Sequence, residues 1–101
     1  MMAQLITIYW RDIPAQVTAR DGRRKASVQL EDRFQIAIDR AAAAAGLETT
    51  DDYLGEWHRQ TSDTPGEDLQ AEVEAAAEAL EAAFPQALLQ KYVVNGGLTP
   101  A

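Results

Sequence analysis

Gln4-Leu5-Ile6-Thr7-Ile8-Tyr9-Trp10 is the stretch on which the fold turns. β-Branched and aromatic side chains crowd it, and these suit a pleated surface. Ile6, Ile8 and Trp10 alternate with Leu5, Thr7 and Tyr9, and both sets are largely apolar. Such a strand is covered on both faces or lies centrally in its sheet. Pro14 then interrupts: it lacks an N–H donor and pushes Ile13 towards an extended conformation. Ala15–Arg20 and Arg24–Val28 flank Asp21-Gly22, a dipeptide that predicts a two-residue hairpin turn. So the chain opens with a strand followed by a hairpin.

Beyond the hairpin the period changes. From about Val28 to Ala45, Phe34, Ile38, Ala41, Ala42 and Ala45 fall on one face of a helix. Glu31 and Asp32 stand in its first turn, where the macrodipole favours anions, and Gly46 follows its end. Tyr53 and Trp57 fit either a helix or a strand, and Gly55 between them weighs against a helix. A strand over Tyr53–Gln60 is expected. Thr64-Pro65-Gly66-Glu67 predicts a helix start, with Thr64 as N-cap, Pro65 in the first helical position and Glu67 completing a capping box. Leu69, Val73, Ala76, Ala77, Leu80 and Phe84 make the apolar stripe of that helix, and Pro85 ends or kinks it. A short helix over Ala87–Val94 follows, stopped by Asn95-Gly96-Gly97.

These elements predict an α+β domain: a three- to four-stranded antiparallel or mixed sheet with helices packed mainly on one face. A ferredoxin-like arrangement, with Tyr92–Val94 as a last strand, is the alternative. One domain over residues 1–97 is expected, with 98–101 as a frayed tail.

Composition narrows the chemistry. The chain has 101 residues and no cysteine, which removes disulfides, thiolate metal sites and cysteine nucleophiles. No apolar run is long enough to span a bilayer. Met1-Met2-Ala3-Gln4-Leu5 has no basic leader, which points to the cytoplasm. A net charge of −7 argues against nucleic acid and anionic membranes as partners. The charge is uneven. Residues 1–47 carry seven cations and five anions, whereas residues 48–101 carry two cations and eleven anions. Either the C-terminal half presents a solvated acidic face, or the surface is dipolar and docks a partner on one side.

Four groups of residues are candidates for function. Trp10-Arg11-Asp12-Ile13-Pro14-Ala15-Gln16-Val17 leaves the best strand and enters a proline-shaped turn. Arg11 offers a planar fork for a carboxylate or phosphate, Trp10 a stacking face, and Asp12 an acceptor. The plainer reading is that Trp10 anchors the core while Arg11 and Asp12 make local contacts. Arg20, Arg23, Arg24 and Lys25 form a basic cluster suited to an anionic ligand or an acidic partner, unless it is merely solvated. His58, the single histidine, would need partners as a base or a metal ligand, and Glu56 stands two residues away, on the same side in a strand; the plainer reading is structural. Glu74, Glu78 and Glu81 share a helix face but lack the loop of a calcium site. The sequence has no glycine-rich phosphate loop, nucleophile elbow or zinc spacing. No catalytic or metal residue and no cofactor is therefore assigned.

The Trp10–Val17 stretch resembles the small bacterial virulence factor domain family. The likeness continues through Leu30-Glu31-Asp32-Arg33-Phe34-Gln35-Ile36-Ala37-Ile38-Asp39-Arg40-Ala41-Ala42 and returns at Asp52-Tyr53-Leu54-Gly55-Glu56-Trp57. In related proteins, including those named conserved virulence factor C, a similar domain accompanies an Nfu-type domain and HEAT-like repeats; this sequence shows neither. Standalone relatives are encoded near folate- and cobalamin-dependent methyl-transfer genes, so the resemblance implies an accessory role there. It brings no catalytic residues with it.

The expectation is thus a non-catalytic interaction domain that docks a protein partner, with a homodimer left open. Trp10, Arg11, Asp12, Gln16, Arg20, Arg23, Arg24 and Trp57 are its candidate binding residues. The competing reading is an anionic-ligand-binding or enzymatic domain that uses Arg11 and the basic 20–25 cluster.

Overall fold

A computed structural model describes residues 2–47 and 49–100. The first strand, β1 (Ala3–Trp10), is followed by β2 (Ile13–Asp21) and β3 (Arg24–Gln29). Helices α1 (Asp32–Ala44) and α2 (Thr50–Leu54) precede β4 (Trp57–Thr64), and α3 (Leu69–Ala83) and α4 (Gln86–Val94) complete the chain. The four strands form one antiparallel sheet in the order β3-β2-β1-β4. The fold is α+β, and β1 is a central strand, as its doubly apolar alternation requires. No helix among the described residues is long and apolar enough to cross a membrane.

Two tight hairpins build the sheet. Trp10 pairs with Ile13, so Arg11 and Asp12 alone turn the chain from β1 to β2. Asp21 pairs with Arg24, so the second turn is Gly22-Arg23, one residue later than Asp21-Gly22. Gly22 has φ +61° and Arg23 is not left-handed, the combination of a type II′ turn with glycine in its first central position. In β2 the register shifts opposite Ile8 and Tyr9, leaving Ala15 as the extra residue of a bulge.

The core lies between the sheet and its helices. Val17 and Ala19 of β2 join Leu69, Val73 and Ala77 of α3 in the buried cluster. Helix α3 lies against β2 and β3, while α1 packs on α4 and reaches β2. Phe34, Ala37, Ile38, Ala41 and Ala42 are the buried face of α1, as their spacing predicts. Alanine at 41 lets the chain approach closely: a Cβ at Gly97, φ +91°, would stand 2.7 Å from the Trp10 ring and 3.5 Å from the Ala41 Cβ.

Several local expectations fail for identifiable reasons. Val28 ends the hairpin strand as read from the sequence, and Gln29 extends β3 past it, because pairing with β2 outweighs the helical period there. Tyr53 lies in α2, not in a strand. Thr49 caps that helix by accepting from Asp52 N at 3.1 Å, and Gly55 ends it. The strand starts only at Trp57. Thr64 does not cap α3 but closes β4. The cap is Asp68, whose side chain accepts from Ala71 N at 3.1 Å. Glu72, not Glu67, supplies the returning carboxylate. It accepts from Gly66 N at 2.8 Å, from Asp68 N at 3.0 Å and from the Thr64 hydroxyl. These donors hold its carboxyl below the ordinary value of 4.5, the Thr64 hydroxyl contributing most.

Pro85 does end α3, and α4 runs on to Val94 as a helix, so no fifth strand forms at Tyr92–Val94. Residues Leu98 and Thr99 make contacts with the first hairpin and the end of α4. The Asp12 carboxylate accepts from Thr99 N at 2.7 Å and Thr99 Oγ1 at 2.9 Å, and the Asn95 amide donates to the carbonyls of Leu98 and Thr99. Ala101 lies outside the described residues.

Candidate functional site

Trp10, Ile13, Pro14 and Val17 of the Trp10–Val17 motif are interior. Trp10 has no exposed surface; its indole N–H donates to Tyr53 O at 2.8 Å and its ring stacks on Tyr53. Ile13 and Val17 are equally buried. Arg11 sits at φ +50°, the one left-handed non-glycine among the described residues. Its guanidinium donates to Gly96 O and to Glu56 Oε1, both at 3.0 Å, and stands over the Trp10 ring. Its backbone N–H donates to Glu56 O, and that of Asp12 to Gly97 O. The His58 ring meets the Arg11 carbonyl. Arg11 therefore joins the first hairpin, the start of β4 and the C-terminal turn, through one guanidinium bond to Gly96 O and one to Glu56.

The basic cluster lies at the far tip of the second hairpin. Arg24 pairs with Asp21 at 2.7 Å and donates to Gly66 O at 3.1 Å. Arg20, Arg23 and Lys25 are exposed. The structure does not bring this cluster to Arg11.

What the structure brings together is the sheet face away from α3. Opposite residues in a ladder share a face, so the register places Gln29, Gln16, Ile8 and Arg59 in one row. The next row holds Ser27, Thr18, Ile6 and Thr61, and the third Lys25, Arg20, Gln4 and Asp63. Ile6 and Thr18 are buried in the middle of this face, with the Thr18 and Ser27 hydroxyls 2.9 Å apart.

At the α1 end this face deepens into a hollow of about 340 Å³. Ile8, Ala15 and Leu30 are its apolar lining, and Trp57 adds an aromatic wall. Gln16, Gln29 and Gln35 contribute primary amides, and Asp32 the carboxylate. Trp57 is held from behind by an edge-to-face contact with Tyr53. Two expected binding residues, Gln16 and Trp57, meet here; Gln29, Asp32 and Gln35 join them without having been expected to bind. Gln29 becomes legible only when the turn is placed at Gly22-Arg23, because that register sets it opposite Gln16.

The family model described as virulence factor matches residues 8–93. The chain belongs to the virulence factor family. Within the family match lie the Trp10–Val17 hairpin, the α1 face, Trp57 and every residue lining the hollow. No curated protein and no solved structure matches the chain at a significant level.

The hollow combines amides, a carboxylate and an indole. Amides donate and accept, the carboxylate attracts cations, and the indole offers a face for stacking. The displaced titrations lie elsewhere. Burial, then the charge of Asp12, pushes the Tyr9 phenol up, so it stays protonated at neutral pH. Glu72 is held down by its role in starting α3. Among the described residues no cluster of histidine and carboxylate ligands has the arrangement of a metal site.

Proposed function

We propose that this virulence factor domain is a non-catalytic docking module that receives a basic side chain of a partner protein in the Trp57 hollow. The observation that carries the reading is the meeting of Trp57, Asp32 and the Gln16, Gln29 and Gln35 amides around one concave site. A guanidinium stacks on an indole face, pairs with a carboxylate and donates to amide carbonyls. The net charge of −7 supports it, since an acidic domain is steered towards a basic partner surface. Arg11, already paired with Glu56 and bonded to Gly96 O, gives less support to an anionic ligand. The genomic company of standalone relatives makes folate- and cobalamin-dependent methyl-transfer proteins the first partners to examine.

The test is affinity purification of the tagged domain from its own cells, with quantitative mass spectrometry. A partner recovered near stoichiometric yield by the wild type should be lost with Trp57→Ala and depleted with Asp32→Asn. Arg23→Ala, at the distant hairpin tip, should retain it. Because Asp32 is exposed, its variant separates lost recognition from lost folding. Undiminished capture by both hollow variants sinks the proposal.

A further inference from the structure

The sheet has one guarded edge and one open edge. At β3 the edge strand is short, six residues, and carries Arg24 and Lys25 side by side. A short edge strand and an edge lysine are usual means of keeping an edge from pairing with another chain. β4, the last strand of the sheet on the other side, has eight residues and is exposed from His58 to Asp63. Its ladder with β1 runs from Ala3–Thr64 to Trp10–Trp57 without a register shift, so no bulge twists the edge away. It contains no proline or lysine, and among the described residues no segment but β1 is hydrogen-bonded to its backbone. A flat, unpaired ladder of this length is a template for another strand.

We propose that β4 pairs antiparallel with β4 of a second copy of this chain, about a two-fold axis at Thr61. The result is one continuous sheet of eight strands, four from each copy. The register follows from ladder geometry and charge. Opposed residues in a regular antiparallel pair are both hydrogen-bonded or both not, so a two-fold axis must pass through a residue paired with itself. With Thr61 on the axis, Arg59 lies opposite the partner's Asp63, and the symmetry makes that pair twice. Gln60 then lies opposite the partner's Ser62, and His58 opposite the partner's Thr64. An axis at Arg59 or Asp63 would set like charges against each other, which is destabilising. An axis at Gln60 or Ser62 would leave both charges without an opposite partner. Pro65, which has no N–H, stops the ladder just beyond Thr64 at either end. The self-complementary order Arg59-Gln60-Thr61-Ser62-Asp63 is what favours a second copy over an unrelated peptide. The dimer does not rest on the Trp57 hollow, and Asp32→Asn should leave it intact.

Sedimentation equilibrium on the full chain tests the pairing, with circular dichroism to confirm folding. The wild type should self-associate to a dimer. Arg59→Asp alone and Asp63→Arg alone each set like charges opposite one another twice and should weaken association by about tenfold or more. The combined exchange, R59D with D63R, should restore it. Because the chain has no cysteine, Thr61→Cys gives a single thiol. Mild oxidation should link it into a covalent dimer, whereas Lys25→Cys at the guarded edge should stay unlinked. A wild type that remains monomeric at about 1 mM, where even weak association would show, overturns the inference. So does a double exchange that fails to recover the dimer, or a Thr61→Cys chain that resists linkage.

Discussion

At the scale of single residues, Arg11 ties the first hairpin to the start of β4 and to the C-terminal turn. It holds a left-handed backbone at φ +50°, a conformation that costs a non-glycine residue about 1–3 kcal/mol. The strain persists because the guanidinium binds Gly96 O and Glu56 at once. Two opposed terms therefore act at this position, and substitutions separate them. Arg11→Ala loses both charge-assisted bonds and keeps the strain, so it should destabilise by about 2–3 kcal/mol. Arg11→Gly loses the same bonds but relieves the strain, and should be the more stable of the two by about 1 kcal/mol. Urea denaturation measures both, and alanine equal to or better than glycine would refute the account. Gly97 presents the inverse case. Gly97→Ala adds a Cβ 2.7 Å from the Trp10 ring at φ +91°, and should cost about 2–4 kcal/mol by the same measurement.

At the scale of elements, the α3 start shows what a sequence can and cannot settle. Thr64, Asp68, Glu67 and Glu72 form two overlapping sets of capping residues, and local chemistry alone does not choose between them. β4 chooses: Thr64 pairs with Ala3 in the sheet, so the helix must begin later, and Asp68 takes the cap. The same competition decides Tyr53, whose spacing to Trp57 suits both periods until Thr49 caps α2. By contrast β1, the buried face of α1 and the break at Pro85 were legible, because each combines pattern and propensity without a rival. The hollow was half legible. Trp57 and Gln16 could be chosen from their chemistry, but Asp32, Gln29 and Gln35 join them only through register and helix placement. Arg33 likewise gave no signal in the sequence, yet its guanidinium closes the end of α3 by donating to Glu81 O at 2.8 Å and to Phe84 O.

The capping arrangement also makes a pH prediction. The folded-state pKa of Glu72 lies below its ordinary value of 4.5. A depressed carboxyl contributes stability that is present above the unfolded value and is lost as pH falls through the folded one. Stability should thus decline below about pH 4.5 in part through this group. Glu72→Gln removes that part. Its deficit against the wild type should be larger at pH 7 than at pH 3, as read by urea midpoints. A deficit that is equal at both values would show that the carboxylate charge is not what starts the helix.

At the scale of the whole molecule, the sheet and its helices are unevenly joined, and the unevenness is measurable. β1 and β2 each have a strand on both sides, and β2 also lies beneath α3. Opening them requires breaking the core around Val17, Val73 and Ile38, so their amides should exchange with solvent only through global unfolding. β4 shares its ladder with β1 alone, and its side chains from His58 to Asp63 are exposed. Half of its amides point outward, and in a monomer they should exchange orders of magnitude faster than those of Ile6 or Thr18. Self-pairing at the edge changes that contrast and nothing else. On raising the protein concentration, the outward amides between His58 and Asp63 should gain protection while Ile6 and Thr18 stay as they were. Hydrogen exchange followed by NMR at two concentrations distinguishes this from general stabilisation. If protection rises everywhere together, the core is being stabilised as a unit. A gain confined to β4 places the contact at its edge, which Arg59→Asp should abolish without altering exchange in β1 or β2.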